Sequence, residues 1–110
     1  FINEIVKKFD ADIIQTDNIN SGVKNADVIY FCRIQKERFE DIYEAEKIQR
    51  SFRITQQILE KIKEDAIILH ALPKTIEIEA SIDKTKKAKY FEQVYYGVPV
   101  RMAVLNLVCP

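Results

Sequence analysis

Two apolar runs of strand length constrain this chain more than any other feature of its sequence. Residues 27–32 read DVIYFC and residues 66–70 read AIILH. Both runs are apolar at consecutive positions and rich in β-branched or aromatic residues, which is typical of strands buried on both faces of a parallel sheet. Because segments with helical character lie between and around them, we predict an α/β fold, a doubly wound parallel sheet with flanking helices.

Helical spacing of apolar residues predicts the elements that flank this sheet. The spacing of Ile2, Ile5, Val6 and Phe9 places them on one face of a first helix. Thr55 is a predicted N-cap for a helix that runs to about Lys63. The charged residues 41–50 have weaker helical periodicity.

The remaining segments are predicted from their composition and from the positions of glycine and proline. Residues 11–15 (ADIIQ) form a third, weaker strand candidate, and the polar residues 16–25 form a loop with room for one helical turn. Residues 90–109 are apolar and mainly helical, with a break expected near Gly97 and Pro99 because proline is tolerated in the first turn of a new helix.

Composition limits the class of protein. A chain of 110 residues with 47% hydrophobic residues fits one folded domain. Seventeen basic residues balance seventeen acidic ones, which argues against a nucleic-acid partner or an anionic membrane surface. Cys32 and Cys109 match neither a zinc spacing nor a disulfide framework, so we expect no metal or other cofactor and a cytoplasmic location. The first residues, FINEIVKKFD, have no signal-peptide character and read as the middle of a longer protein.

Candidate binding residues follow the two strong strands. In open parallel sheets, ligands bind beyond the carboxyl ends of the strands. Arg33 and Gln35 follow the first strand, and Leu72 and Pro73 follow the second, so we expect the two loops to face one crevice. A guanidinium with an amide beside it fits a small anionic substrate, bound by positioning and electrostatics rather than by a covalent nucleophile.

Each of these residues also has a simpler interpretation. Spacing alone favours ordinary surface charges for Arg33 and Arg38. His70 is the only histidine and is more often a hydrogen-bonded structural residue than a general acid. Cys32 at a strand end is most simply a small hydrophobe. Without a further clue, the residues indicate an α/β domain with a possible anion site.

Three segments carry a resemblance to one enzyme family. Residues 27–39 (DVIYFCRIQKERF) resemble the strand and Thr-Arg-Ile-Gln-Lys-Glu-Arg loop of aspartate carbamoyltransferase catalytic chains. Residues 68–78 (ILHALPKTIEI) lie where that family has His-Pro-Leu-Pro-Arg-Val-Asp-Glu-Ile. Residues 90–105 (YFEQVYYGVPVRMAVL) are similar to its C-terminal signature. The order and distances agree with a partial aspartate-binding domain plus the C-terminal helix, covering residues 1–110.

The resemblance implies an activity and a set of site residues. The family transfers a carbamoyl group from carbamoyl phosphate to L-aspartate in pyrimidine biosynthesis. Arg33 matches the arginine that grips an aspartate carboxylate, and Gln35 matches the glutamine beside it. Leu72 and Pro73 match the pair whose backbone contacts carbamoyl phosphate through a cis peptide bond. The mobile loop that closes the two domains would contain three charged residues, Lys36, Glu37 and Arg38.

The chain also departs from the family pattern. Ala71, Lys74 and Ile76 stand where the family has proline, arginine and aspartate, which alters the geometry and ion pairs expected of this loop. The carbamoyl-phosphate domain is expected upstream, together with a second aspartate-binding arginine, so these residues would be inactive alone. The resemblance further implies a homo-oligomer, a trimer in the family, with a regulatory chain as a possible partner.

Two other interpretations stay open at this stage. The same fold can persist as a non-catalytic interaction or regulatory module, which the loop substitutions favour slightly. An ornithine carbamoyltransferase is a weaker choice, because its His-Cys-Leu-Pro loop is no closer to HALP and RIQKERF argues against it.

Overall fold

The computed structural model describes residues 2–9 and 12–109. It contains two β-strands, β1 (Val28–Phe31) and β2 (Ile67–His70). The five α-helices of this part of the chain are α1 (Ile2–Phe9), α2 (Ile19–Val23), α3 (Ile42–Ser51), α4 (Gln56–Leu59) and α5 (Tyr90–Val108). Two 3₁₀ turns lie at Lys36–Arg38 and Ala80–Lys84.

The two strands form a parallel pair, as predicted. Val28 lies opposite Ile67, and Phe31 lies opposite His70. A parallel pair needs a long crossover, which α3 and α4 supply. Two isolated parallel bridges extend the pattern, Ile54 with Ile78 and Ile68 with Ala88. The α/β class is therefore confirmed, and within the described residues its regular sheet has two strands.

One hydrophobic cluster holds these elements together. Its most deeply buried members are Ile54, Ile68, Ile78, Ile82 and Tyr90, all at 0–1% exposure. They come from β2, from the two bridging segments, from the second 3₁₀ turn and from the start of α5. The core therefore lies on one face of the sheet and anchors the first turn of α5 to it.

Two strand predictions need correction. The strand β1 is buried on one face only, because Val28 and Tyr30 are 52% and 54% exposed while the residues between and after them are buried. Residues 12–15 form no strand, and Ile13 and Ile14 are exposed. In both cases the apolar side chains are present, but the described part of the chain supplies too little packing surface to cover them.

The helices of the structure lie where the sequence predicts them, but their lengths differ from the predicted lengths. Thr55 caps α4 as predicted, its hydroxyl accepting from the Ile58 N–H at 3.3 Å. The regular helix ends at Leu59 rather than near Lys63, although Ile62 is still buried. The predicted face of α1 includes side chains outside the described residues.

The predicted break in the C-terminal segment is absent. The helix α5 continues through Gly97 and Pro99 for 19 residues. Pro99 leaves the Tyr95 carbonyl without its usual N–H partner, but the fixed φ of proline is compatible with a helix and this stretch is exposed. Among the described residues, no helix has the length and apolarity needed to cross a lipid bilayer.

Candidate functional site

The loops after β1 and β2 leave the sheet at the same edge. This follows from the parallel register, in which Phe31 and His70 are paired at the strand ends. Arg33 to Lys36 therefore begin beside Ala71 to Lys74. The two loops are neighbours as predicted, but Arg33 lines one depression while Leu72 and Pro73 line another, so the predicted single crevice is not formed.

The first depression, which we call the arginine depression, has a volume of about 320 Å³. It lies between the loop after β1, helix α3 and the end of the loop after β2. Its lining residues are Arg33, Ile34, Lys36, Glu37, Gln49, Thr75 and Ile76. Two cations and an amide on its wall make it suited to an anion that also carries hydrogen-bond donors.

Ion pairs fix the cationic side chains of the arginine depression. The Arg33 Nη2 lies 2.7 Å from the Glu37 Oε1, and the Lys36 Nζ lies 3.6 Å from the Glu46 Oε1. A backbone hydrogen bond and the Arg33 guanidinium lower the pKa of Glu37, against the opposing effect of desolvation. Arg33 is half exposed, so a carboxylate from solution could replace or join Glu37 as its partner.

The second depression, the Leu-Pro depression, has a volume of about 510 Å³. It lies between the loop after β2 and helix α5. Its lining residues are Tyr30, His70, Ala71, Leu72, Pro73, Gln93, Val94, Gly97 and Arg101. The Leu72-Pro73 peptide bond is cis, in agreement with the sequence prediction. Leu72 has a φ of 50°, the left-handed region that residues with a side chain rarely adopt.

Arg101 reaches across its own helix towards the Leu-Pro depression. A Cβ atom placed on Gly97 would lie 2.8 Å from the Arg101 Nη1, so the guanidinium lies against a surface that only glycine leaves open. Among the described residues, no carboxylate lies within ion-pair distance of Arg101. The depression therefore contains a cation available to an anionic ligand.

A buried histidine and glutamate lie under the loop after β2. His70 and Glu77 are each 1% exposed, and the His70 Nε2 lies 3.0 Å from the Glu77 Oε1. The Leu72 N–H donates to the His70 Nδ1 at 2.8 Å. Because Nδ1 accepts this bond, the proton of the ring is on Nε2 and points at Glu77. His70 is thus the hydrogen-bonded structural residue that its sequence context favoured.

Glu77 is the centre of a longer chain of hydrogen bonds. Thr75 donates to it twice, from its N–H at 3.0 Å and from its hydroxyl at 2.6 Å. Desolvation opposes the charged form, but the Thr75 hydroxyl, the backbone N–H groups and His70 together lower the pKa of Glu77. The Gln49 Nε2 donates to the Thr75 hydroxyl at 3.4 Å, while its buried Oε1 has no hydrogen-bond partner in the described structure. The chain of bonds therefore extends from Leu72 to the wall of the arginine depression.

The other residues singled out in the sequence have clear positions. Gln35 is half-buried and precedes the 3₁₀ turn, which contains Lys36, Glu37 and Arg38. Cys32 is exposed, not packed as a small hydrophobe. Lys74 is held by Asp83 at 3.1 Å, so the residue that replaces the arginine of the pattern takes part in a structural ion pair. Within the described residues, no three His, Cys, Asp or Glu side chains are grouped as a metal site would require.

Sequence reasoning missed several residues of this site. Neither Glu77 nor Gln49 was singled out, because a lone charged or amide residue gives no sign of burial. The signal available for Glu77 was its position seven residues after the only histidine, in the same loop. Gln93 and Tyr30 were also missed. Gln93 of α5 accepts from the His70 N–H at the end of β2 and donates to the Tyr30 hydroxyl on β1, so the two side chains connect α5 to the sheet.

Comparison with known proteins shows which family this chain is similar to. A family model described as the Asp/Orn-binding domain of aspartate/ornithine carbamoyltransferase matches residues 1–108. The chain belongs to the aspartate/ornithine carbamoyltransferase family. The aspartate carbamoyltransferase catalytic subunit of Sulfolobus acidocaldarius is 47% identical over 103 residues, which are 94% of this chain and 34% of that protein. That of Methanocella arvoryzae is also 47% identical over 103 residues, or 94% of this chain and 33% of that protein.

Solved structures of the family have the same fold as this chain. The catalytic subunit of M. jannaschii aspartate transcarbamoylase is 38% identical, with a TM-score of 0.68, over 94% of this chain and 34% of that one. The Trypanosoma cruzi enzyme in complex with carbamoyl phosphate and aspartate is 25% identical, with a TM-score of 0.79, over 94% and 32%. The chain thus spans about a third of the length of the carbamoyltransferases that it matches.

Proposed function

We propose that these residues form part of the aspartate-binding domain of an aspartate carbamoyltransferase, which transfers a carbamoyl group from carbamoyl phosphate to L-aspartate. The observation that carries the proposal is the parallel register of β1 and β2, which brings the loop of Arg33 beside the loop of Leu72 and Pro73 at one sheet edge. The relatives of this chain named as aspartate carbamoyltransferases support the choice of reaction.

The proposed roles come from the family resemblance, with Arg33 on the wall of one depression and Leu72 and Pro73 on the wall of the other. Arg33 would bind a carboxylate of aspartate and Gln35 would add an amide contact, while the backbone of Leu72 and Pro73 would contact carbamoyl phosphate. Attack of the neutral amine on the carbamoyl carbon builds an oxyanion and releases phosphate. Fixed donors and correct orientation lower that barrier without a covalent intermediate.

Lys36, Glu37 and Arg38 would belong to a loop that closes over the substrates. In the structure these residues form a short 3₁₀ turn tied to α3 through Lys36 and Glu46. Closure would require this turn to move towards the rest of the active site, and a single exposed ion pair is a weak restraint. We include the turn in the proposed site for that reason.

The rest of the proposed active site lies in other parts of the enzyme. We propose that a carbamoyl-phosphate domain, a second copy of the chain in a homo-oligomer and, where present, a regulatory chain complete it in the cytoplasm. The apolar surface of α5 supports this proposal. Among its exposed members are Val94, Val98, Met102, Leu105 and Val108. A helix that is apolar on all sides is ordinarily covered by protein.

A non-catalytic interaction module is the second candidate function. The replacement at Lys74 favours it, because that side chain is paired with Asp83 in the structure rather than directed at a ligand. The two functions differ in what Arg33 does. In a binding module, Arg33 could be removed without any effect on the use of aspartate.

The test is a chimera in which this chain replaces the matching segment of the Sulfolobus acidocaldarius catalytic subunit. We expect carbamoyl transfer by the chimera and none by the 110 residues alone, because positioning catalysis needs both substrates fixed together. In the chimera, Arg33→Ala should raise the KM for aspartate at least about tenfold, since a charge-assisted hydrogen bond contributes about 1.5–3 kcal/mol.

Cys32→Ser is the matched control, because Cys32 is the exposed neighbour of Arg33 and touches no proposed ligand. Its aspartate KM should stay within about twofold of the parent value. An inactive but folded chimera would support the interaction module. Robust turnover by the isolated chain, or an Arg33→Ala chimera with unchanged aspartate dependence, would refute the proposal.

A further inference from the structure

The loop after β2 is shaped by a buried pair of side chains, His70 and Glu77, each 1% exposed. His70 and Glu77 are sealed beneath it, yet the Leu72 N–H points inward and donates to the His70 Nδ1 at 2.8 Å. Leu72 itself is partly exposed and lines the Leu-Pro depression. Leu72 therefore has its N–H in the buried network and a side chain that packs partly against the core and partly lines the depression.

The conformation of Leu72 requires such a restraint. A leucine at φ 50° is disfavoured by the contact of its Cβ with its own backbone, so the surrounding structure must hold it there. The hydrogen bond to His70 is the contact that acts directly on the Leu72 backbone. It can form only while Nδ1 carries no proton, and in the neutral ring the Glu77 carboxylate, by accepting from Nε2, selects the tautomer with a free Nδ1.

The network is anchored on both sides of His70. The Gln93 Oε1 of α5 accepts from the His70 N–H at 3.0 Å, which ties the strand end to the helix that walls the depression. Glu77 accepts two bonds from Thr75, and Thr75 in turn accepts from Gln49. The hydrogen bonds on both sides of His70 restrict the ring to one arrangement.

We propose that His70 is a positioning residue for the carbamoyl transfer: with Glu77 it fixes the ring tautomer whose Nδ1 holds the Leu72 backbone in its substrate-facing conformation. This inference rests on the proposed function for its effect on catalysis. Its structural part, the tautomer and the Leu72 bond, stands without it. His70 contacts no substrate and acts through Leu72 alone.

Two substitutions distinguish a positioning role of His70 from a role in the stability of the fold alone. In His70→Asn, the side-chain oxygen lies near the former Nδ1 and can still accept from Leu72, but the bond to Glu77 is lost. In His70→Gln, the amide nitrogen lies near the former Nε2 and can still donate to Glu77, but the acceptor for Leu72 is lost. The two variants therefore each retain a different half of the network.

The activity test uses the chimera described above. We expect His70→Asn to keep kcat/KM for carbamoyl phosphate within about fivefold of the parent chimera, and His70→Gln to lose at least about thirtyfold. Thermal stability should follow the opposite order, with the Asn variant the less stable because Glu77 has lost a buried partner. A kcat/KM that follows thermal stability, or that is unchanged in both variants, would overturn the proposal.

A second readout needs no activity. Because the chain has a single histidine, ¹⁵N-histidine labelling of the isolated chain gives NMR signals from one imidazole ring only. We expect a protonated Nε2 and an unprotonated Nδ1 at neutral pH. The Leu72 amide hydrogen should exchange with solvent slowly in the parent chain and in His70→Asn, and at least about tenfold faster in His70→Gln. A protonated Nδ1, or equal exchange in both variants, would contradict the inference. An inactive parent chimera with these NMR results would instead refute only the proposed function.

Discussion

At the scale of single residues, Glu77 connects the site to the stability of the fold. Its carboxylate is buried, where burial alone would raise its pKa, but the Thr75 hydroxyl, backbone N–H groups and His70 together lower the pKa of Glu77 below its ordinary value. A carboxyl group whose pKa is lower in the folded state stabilises the protein above its unfolded pKa. That stabilisation is lost as the pH falls through the folded pKa.

We therefore expect the free energy of unfolding to fall as the pH is lowered below about 4.5, the ordinary value for a glutamate. Urea titrations between pH 3 and 7 measure it. Glu77→Gln should lower the free energy of unfolding at pH 7 by about 1–3 kcal/mol and flatten this acid dependence, because the buried charge and its bonds are gone. Glu60→Gln, at an exposed position, is the control. Parallel acid profiles for Glu77→Gln and the parent would contradict the assignment.

The sequence supported single-residue predictions unevenly. The N-cap at Thr55 depends on neighbours in the chain and was predicted from them, whereas the cis bond before Pro73 was implied by the family resemblance; the structure agrees with both. The roles of Gln49 and Glu77 depend on contacts with residues 26 and seven positions away, which no local pattern encodes. The grouping of Leu72 with Arg101 likewise depends on the packing of α5 against the sheet.

At the scale of elements, the strands and α5 show what local patterns can and cannot predict. The apolar runs identified β1 and β2 and their parallel direction correctly, because consecutive β-branched and aromatic residues are typical of strands in a parallel sheet, although β1 is covered on one face only. The run at residues 12–15 has similar composition but no partner among the described residues, and it forms no strand. Pairing is a tertiary property, so composition alone could not distinguish these cases.

The continuity of α5 through Pro99 gives a prediction about helix stability. Pro99 cannot donate to the Tyr95 carbonyl, so Pro99→Ala should restore one hydrogen bond and raise the helical circular-dichroism signal. The free energy of unfolding should rise or stay equal, because the exposed second half of α5 loses no packing. Val100→Ala, which changes no backbone bond, should leave the helical signal unchanged. A weaker signal in Pro99→Ala would mean that proline organises the helix.

At the scale of the whole molecule, the exposed apolar side of α5 governs behaviour in solution. Tyr90 is its one fully buried residue, whereas apolar side chains along the rest of the helix are at least half exposed. In the proposed enzyme this surface would be covered by other parts of the protein. In the isolated chain it is open to water and to other copies of itself.

The isolated chain should therefore self-associate and bind a hydrophobic dye. Sedimentation velocity over a hundredfold range of concentration should show a rising average mass. Leu107→Lys, at an 82% exposed position on α5, should reduce both association and dye binding. Tyr43→Lys, at an 86% exposed position on α3, should change neither. A strictly monomeric parent that leaves the dye dark at the highest concentration would rule out an exposed docking surface.

The parallel pairing of β1 with β2 has a consequence for synthesis on the ribosome. All of α3 and α4 lies between the two strands, so β1 is synthesised well before its partner. Until β2 emerges, the backbone N–H and C=O groups of β1 have no sheet partner, and Ile29 and Phe31 have no core to enter. Between the synthesis of β1 and that of β2, the nascent chain thus carries an unpaired apolar strand, the state that chaperones recognise and that non-local topologies prolong.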